Sequence, residues 1–546
     1  MSSFKNSLTF LRYALIPGLK TKKKLLAQLR ENWGKEIDVK RDLDLIAKYH
    51  RLTLNSETKE MVDDKTWDDL NMDEVFAKID RNVSAIGRQY LYRMLRTYES
   101  DEKILSLRNQ QYELLKNDRE LRESIQVILN RLRSDKASYV SYIIFDTLPA
   151  KPKFFYLIYL SSFITVSSTF LMFFINPFFF VLLSFALINI AINAIYGKKI
   201  YEHFAGLSYL NVMLGAAISL SNLKVRHELP QLSNLRENKG FVRKLRKKIG
   251  WLVIDKSRLN DISEAFIEYL NLICLFDLVA FIRSIDHLKL HREKAAGIFD
   301  SVASLDAVIS VASYLEGLST YTIPEINQEP RINVVDIYHP LLQNPVANSF
   351  QLRGRSALIT GSNMAGKTTF IRTIGVNILL GRTVHICLAR KCEIPAAIIR
   401  SSIRIEENLD EGKSYYFVEV EKLLKFIRLS GDGKQYLFLI DEIYRGTNTI
   451  ERVAAATAVL KYLNRNNTVL VTTHDIELQD LLDKEYDMYH FSEQVSGDNY
   501  FFDYKIKKGP TKSRNAIKLL ELSGYPESVT EHASSLAREF SKRYEN

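Results

Sequence analysis

The chain has 546 residues, 46% of them hydrophobic and 25% charged, a balance that excludes a disordered or fibrous protein and leaves room for roughly two to four domains with buried cores. A net charge of +11 favours an anionic partner, whether nucleic acid, acidic lipid or nucleotide, without choosing among them. The three cysteines, Cys274, Cys387 and Cys392, provide neither a disulfide framework nor a paired zinc-binding pattern, so a reducing compartment is expected.

Residues 1–30 carry Lys5, Arg12, Lys20, Lys22, Lys23, Lys24 and Arg30 and no acid. This reads as a solvated basic arm or one laid on phosphates or anionic lipid. Arg12 interrupts the first apolar run and no small-residue cleavage site follows, so no removable signal peptide is expected. From Phe154 to Gly197 there is no charged residue. As helix this stretch would be ~66 Å long, about twice the ~30 Å hydrocarbon core of a bilayer. Asn176 and Pro177 supply a turn and a helix break at its middle, which predicts a transmembrane hairpin with spans near residues 155–175 and 178–196. Lys151 and Lys153 before it, and Lys198 and Lys199 after it, place both ends on the cytoplasmic side. The next uncharged run, Phe204–Leu223, is studded with Gly, Ser and Asn and is read as a core helix. The cluster KGFVRKLRKK has Lys239, Arg243, Lys244, Arg246, Lys247 and Lys248 without an acid, and suits nucleic-acid phosphates or a lipid surface.

The segment LITGSNMAGKTTFIRTIG, Leu358–Gly375, has the spacing G-x-x-x-x-G-K-T between a β-prone run, SALIT, and a breaker-free helical pattern. That context suits a loop that cradles nucleotide phosphates. Gly361 and Gly366 let backbone N–H groups approach phosphate oxygens, Lys367 reaches the β and γ phosphates, and the Thr368 hydroxyl suits Mg²⁺. The predicted nucleotide contacts are Gly361, Ser362, Asn363, Met364, Ala365, Gly366, Lys367, Thr368 and Thr369. Downstream, YLFLIDE ends an apolar strand in Asp441, suited to the surroundings of Mg²⁺, and Glu442, placed to orient and deprotonate an attacking water. TVLVTTH ends another strand in His474, a candidate sensor of the γ phosphate.

These residues resemble the MutS family of DNA mismatch repair ATPases. TGSNMAGKTTFIR is similar to the family's T-G-P-N-M-G-G-K-S-T loop, with Ser362, Ala365 and Thr368 as departures. IYHPLL (337–342), DEIYRGTNTIE (441–451) and GPTKSRNAIKLLELSGYPESV near the C-terminus look like other family blocks, in the same order. In the last, Arg514 and Asn515 replace Tyr and Gly. LDEGKSYYFVEV (409–420) resembles the segment with which family members present a serine to the partner subunit's nucleotide, and Ser414 is the matching position. Fainter likenesses to the helical core and lever lie at residues 61–135 and 260–330.

The resemblance implies ATP and Mg²⁺ as cofactors, a homodimer with shared sites, and an α-helical core interrupted by the hairpin and followed by a P-loop α/β ATPase domain. The expected division is a basic arm and first helical part at 1–150, the hairpin at 151–200, a second helical part at 201–330, the ATPase at 331–505 and a dimerising helical segment at 506–546. The first 60 residues hold no Phe-x-Glu wedge motif, and the family's DNA-touching clamp is replaced by the hairpin. The expectation is therefore a membrane-anchored ATPase, in contact with lipid, that opens and closes helical arms without discriminating mismatches. A DNA-binding repair or recombination protein is the alternative. A transporter subunit of the ABC type is a more distant one, since no L-S-G-G-Q-like signature occurs.

Overall fold

The computed structural model describes residues 17–54, 59–148, 151–249, 269–362, 365–403, 415–444, 448–496, 499–511, 520 and 524–544. The chain forms two compact units and crosses between them several times. One comprises residues 1–58, 79–94 and 107–318, the other residues 59–78, 95–106 and 319–546.

The first unit is helical in its described residues. Two of its helices begin where a side chain satisfies a first free N–H group: Asp42 accepts from the Leu45 N–H, and Asp118 from the Leu121 N–H. Its centre is the helix Arg292–Glu316, buried along every residue from Ser301 to Leu315. Asp306 on this helix is fully buried. It accepts from the Ser84 N–H (2.7 Å), the Ser84 hydroxyl (2.5 Å) and the Val83 N–H (3.2 Å), and so fixes, from more than 200 residues away, the serine whose Oγ accepts from the Gly87 N–H (3.1 Å) in the first turn of the helix Ala85–Arg96. Burial pushes the Asp306 carboxyl up to about 6 against the pull of these three donors. Gly87 faces the same carboxylate, and a Cβ there would lie 2.4 Å from Asp306 Oδ2.

The uncharged stretch forms two helices, Phe155–Leu171 and Phe178–Ser221, separated at Asn176 and Pro177 as the sequence predicts. The second differs from expectation in length. Rather than ending near Tyr196 and resuming at Phe204, it runs through Gly197, Lys198 and Lys199 as one helix of 44 residues. Gly197, the one helix-weakening residue between Tyr196 and Phe204, costs a helix only about 1 kcal/mol and no proline follows, so nothing local ends it there.

The second unit is a mixed α/β structure. Its strands are β1 (Glu325–Asn327), β2 (Arg331–Ile337), β3 (Asn348–Arg353), β4 (Ser356–Thr360), β5 (Lys391–Pro395), β6 (Ile398–Ser402), β7 (Tyr436–Asp441), β8 (Thr468–Thr473), β9 (Tyr486–Ser496) and β10 (Asn499–Lys508). They form a four-stranded sheet ordered β1-β5-β2-β3 and a six-stranded sheet ordered β10-β9-β4-β8-β7-β6. In the larger sheet only β10 is antiparallel to its neighbour. Strands β4, β7 and β8 are buried at every residue, as their unbroken apolar runs require of a sheet covered on both faces. Residues 59–78 and 95–106, grouped with the helical part in the sequence analysis, fold into this unit. The buried Asp69 accepts from Ser401 Oγ (2.8 Å) and the Ile403 N–H (2.9 Å) at the end of β6, and pairs with Lys65 at 2.7 Å. Leu70 packs on Gly375 of the helix Lys367–Thr383 so closely that a Cβ on the glycine would lie 2.7 Å from it.

Candidate functional site

Because β4, β8 and β7 are adjacent and parallel, their carboxyl ends share one edge of the sheet. The segments following them are Gly361–Gly366, His474–Asp475 and Glu442, so topology gathers residues more than 100 positions apart. Gly361 (φ +137°) and Gly366 (φ +98°) both adopt backbone conformations suited to glycine. A Cβ on Gly361 would lie 2.6 Å from the Phe491 carbonyl oxygen, and Gly366 leads directly into the helix that begins at Lys367.

Lys367 is buried, and its Nζ donates to the carbonyls of Gly361 (2.6 Å) and Ser362 (2.9 Å), which holds the ammonium inside the loop. The Thr368 hydroxyl lies 3.0 and 2.9 Å from the two Asp441 carboxylate oxygens, and the Thr472 hydroxyl donates to Asp441 Oδ1 at 2.5 Å. His474 Nε2 lies 2.6 Å from Glu442 Oε1, and Lys367 Nζ is 3.3 and 3.5 Å from the two ring nitrogens of His474. Lys367, Thr368, Asp441, Glu442 and His474 therefore meet at one place. Asn363, Met364 and Ser414 lie outside the described residues. Gly361, Ser362, Ala365, Gly366 and Thr369 stand on the loop and the first helical turn.

Glu442 (φ +56°) and Tyr444 (φ +60°) occupy the left-handed region that non-glycine residues seldom adopt. Neighbouring groups hold them there. The Glu442 N–H donates to the Thr472 carbonyl at 3.1 Å, and the Tyr444 N–H donates to the buried carboxylate of Glu419. Arg452 forms a two-pronged pair with Asp475 at 2.9 and 2.6 Å, fixing the residue after His474.

Beside the loop is a cavity of about 410 Å³, whose lining includes His339, Asn348, Thr369, Phe370, Phe491 and Tyr504. An apolar and aromatic wall joined to a phosphate-type loop is suited to a flat heterocycle. Burial, aided by the Arg372 charge, lowers His339 to about 4, and its Nδ1 accepts from the Leu341 N–H at 3.3 Å, so the ring is neutral at physiological pH. Sequence reasoning assigned no role to Glu419, Arg452 or Tyr504. Glu419 lies within a quoted segment and Arg452 directly after one, without any spacing that marks them, and Tyr504 reaches Gly366 only through the pairing of β10 with β9.

The site thus lies at the carboxyl edge of the parallel strands of an α/β unit, on a glycine loop that leads into a helix. Residues 357–541 match the family model described as MutS domain V. Among curated proteins, the chain is similar to the DNA mismatch repair protein MutS of Finegoldia magna, with 28% identity over 257 residues, 44% of this chain and 30% of that protein. It is also similar to those of Methanosarcina mazei, 27% over 270 residues (47% and 30%), and Clostridioides difficile, 24% over 300 residues (52% and 31%). The likeness to the MutS family rests on the C-terminal part of the chain, residues 357–541 above all. The match spans about a third of the length of these relatives.

Proposed function

We propose that the protein is a membrane-anchored ATPase that binds ATP with Mg²⁺ at the edge of the six-stranded sheet, hydrolyses it at sites completed by a second copy of the chain, and uses the cycle to move its helical part. The observation that carries this reading is the convergence of Lys367, Thr368, Asp441, Glu442 and His474.

The residues present fit Mg²⁺. Thr368 and Asp441 offer only oxygen donors, already within 3.0 Å of one another, and a hard cation prefers such ligands. The buried Ser362 hydroxyl has no hydrogen-bond partner among the described residues, as suits a loop built to meet a further acceptor. Mg²⁺ held by Thr368 and Asp441 would neutralise negative charge on the phosphate oxygens. Lys367 and the loop N–H groups bind the phosphates, and Glu442 takes the proton of the attacking water. His474 orients the Glu442 carboxylate through their 2.6 Å contact. Phe417 and Ile450, exposed on two helices of this unit, support self-association, and Ser414 would be offered to the partner's nucleotide.

Membrane anchoring is supported by the inverted burial of the hairpin. Ser161, Ser162, Thr165, Ser168 and Asn189 are buried, whereas Phe163 is 70% and Phe174 85% exposed. Of the most apolar 18 residues within Phe178–Tyr196 only 6% are buried, against 83% for the corresponding stretch of Arg292–Glu316, a less apolar core helix. A water-soluble core would have the opposite pattern.

DNA is the second reading for the partner. On the helix Lys239–Ile249, Val242, Leu245 and Ile249 face inward while Arg243, Lys244, Lys247 and Lys248 face solvent, a one-sided basic face. The relatives' description as DNA mismatch repair proteins agrees with it.

The decisive experiment is equilibrium ATP binding and Mg²⁺-dependent turnover by full-length protein. Lys367→Ala should weaken binding at least tenfold, about 1.4 kcal/mol. Glu442→Gln should keep binding and lose most turnover. Wild-type protein that binds no ATP ends this reading.

A further inference from the structure

The hairpin's buried polar residues point to a third segment. Asn189 accepts from Ser161 Oγ at 2.5 Å, and its Nδ2 donates to Thr165 Oγ1 (2.9 Å) and to the main-chain carbonyl of Ile273 (2.7 Å). Ser162 Oγ donates to the neighbouring carbonyl, that of Cys274, at 2.6 Å. These carbonyls immediately precede Leu275, whose φ of +58° takes the backbone out of helical register ahead of the helix Phe276–Leu290. A left-handed residue within helical chain deprives the preceding carbonyls of the N–H groups four residues on. Here hairpin side chains supply the donors. The segment's own polar side chains also pair, Asn271 Nδ2 donating to Asp277 Oδ2 at 2.9 Å.

The depth of this contact follows from helix geometry. Asn189 is seven residues before Tyr196, ~10 Å along the axis, and Ser162 is the same number after Phe155. If the hairpin crosses the bilayer, both lie well inside the leaflet at which it begins and ends. An unsatisfied carbonyl there costs several kcal/mol, whereas irregular backbone is tolerated where protein groups satisfy it. At the other end of the helix, Asp286 pairs with Lys151 just before the hairpin. Phe276 to Asp286 spans ~15 Å, which matches a climb from the Asn189 level to the bilayer surface. Tyr269 and Leu270 are exposed and continuous in character with the hairpin's outer face.

Resting on the membrane reading above, we infer that residues 269–282 form a third, re-entrant membrane element, dipping into the cytoplasmic leaflet without crossing it, docked on Asn189 and Ser162 and presenting Leu270 to acyl chains. The hairpin is then an integral part of the helical unit rather than a detachable tether.

Spin labels in full-length protein reconstituted into phosphatidylcholine–phosphatidylglycerol vesicles test this, since oxygen concentrates in hydrocarbon and a nickel chelate stays in water. The native cysteines are buried and leave a single added one as the labelled site. Phe163→Cys reports on the hairpin and Leu290→Cys serves as the aqueous control. Leu270→Cys and Leu272→Cys should be at least fivefold less accessible to the chelate than Leu290→Cys. Adding Asn189→Leu should raise their chelate accessibility at least threefold while Phe163→Cys stays lipid-protected. A protected Phe163 site with water-accessible 270 and 272 sites overturns the re-entrant element and leaves the hairpin standing. A water-accessible Phe163 site overturns both. Insensitivity of the 270 and 272 sites to Asn189→Leu overturns the docking.

Discussion

His339 is kept neutral by burial beside Arg372, which makes it a pH-dependent component of stability. Its folded pKa of about 4 lies below the ordinary histidine value of 6.5, so between those pH values the unfolded chain binds more protons. The stabilisation is complete above about pH 6.5 and is lost as pH falls through that window toward 4. Urea unfolding of the full-length protein should show about 2 kcal/mol less stability at pH 5.0 than at 7.5 from this residue. His339→Asn should shrink that difference, and an unchanged pH profile in the variant would assign it to other groups. Gly361 gives a second residue-scale prediction. With φ +137° and the Phe491 carbonyl 2.6 Å from where a Cβ would stand, Gly361→Ala should cost about 1–3 kcal/mol and weaken ATP binding together with stability. A variant with unaltered melting temperature and ATP affinity would show that the loop yields freely.

At the scale of elements, residues 59–78 and 95–106 matter to the α/β unit although they are far from the rest of it in sequence. Asp69 holds Ser401 and Ile403 at the end of β6, the Tyr98 hydroxyl accepts from the Ile399 N–H at 3.2 Å, and Leu70 closes over Gly375. A fragment of residues 319–546 should therefore aggregate or melt well below the full-length protein. Asp69→Ala in the full chain should cost about 2–4 kcal/mol, because it leaves buried donors and Lys65 unpaired. Equal stability of fragment and full-length protein by calorimetry would refute the role given to these segments. The same elements show what sequence can carry. SALIT, YLFLID and TVLVTT were legible as buried strands because each is an unbroken apolar run ending in residues with chemistry. Pro177 was legible because proline forces a break. The attachment of residues 59–78 was not legible, since Asp69 and Tyr98 find partners more than 300 positions away and no periodicity encodes the choice. The unbroken helix beyond Tyr196 was misjudged because Lys198 and Lys199 mark a change of solvent, and the helical hydrogen-bond ladder is indifferent to such a change.

For the whole molecule, two measurements separate lipid from nucleic acid as partner. Full-length protein should stay with membranes through alkaline carbonate washing, because two apolar helices insert far more firmly than a basic surface patch; release would leave only peripheral attachment. Any DNA affinity through the Lys239–Ile249 helix should fall steeply with salt and be nearly equal for matched and singly mismatched duplexes, since lysines and arginines on phosphates read no base edges. A tenfold preference for a mismatched probe at equal ionic strength would require a further reading element. The 44-residue helix has a mechanical consequence in addition. From Tyr196 to Ser221 it continues for ~37 Å beyond the apolar stretch, with no break in its hydrogen bonding. Such a rod converts rotation into displacement: ten degrees of tilt at its apolar end carries Ser221 about 6 Å sideways. Under the proposed membrane anchoring, bilayer thickness, one influence on the tilt of an inserted helix, would thereby become a mechanical input to the helical unit. Turnover compared in vesicles of short and long acyl chains would measure how much of that leverage reaches the nucleotide site.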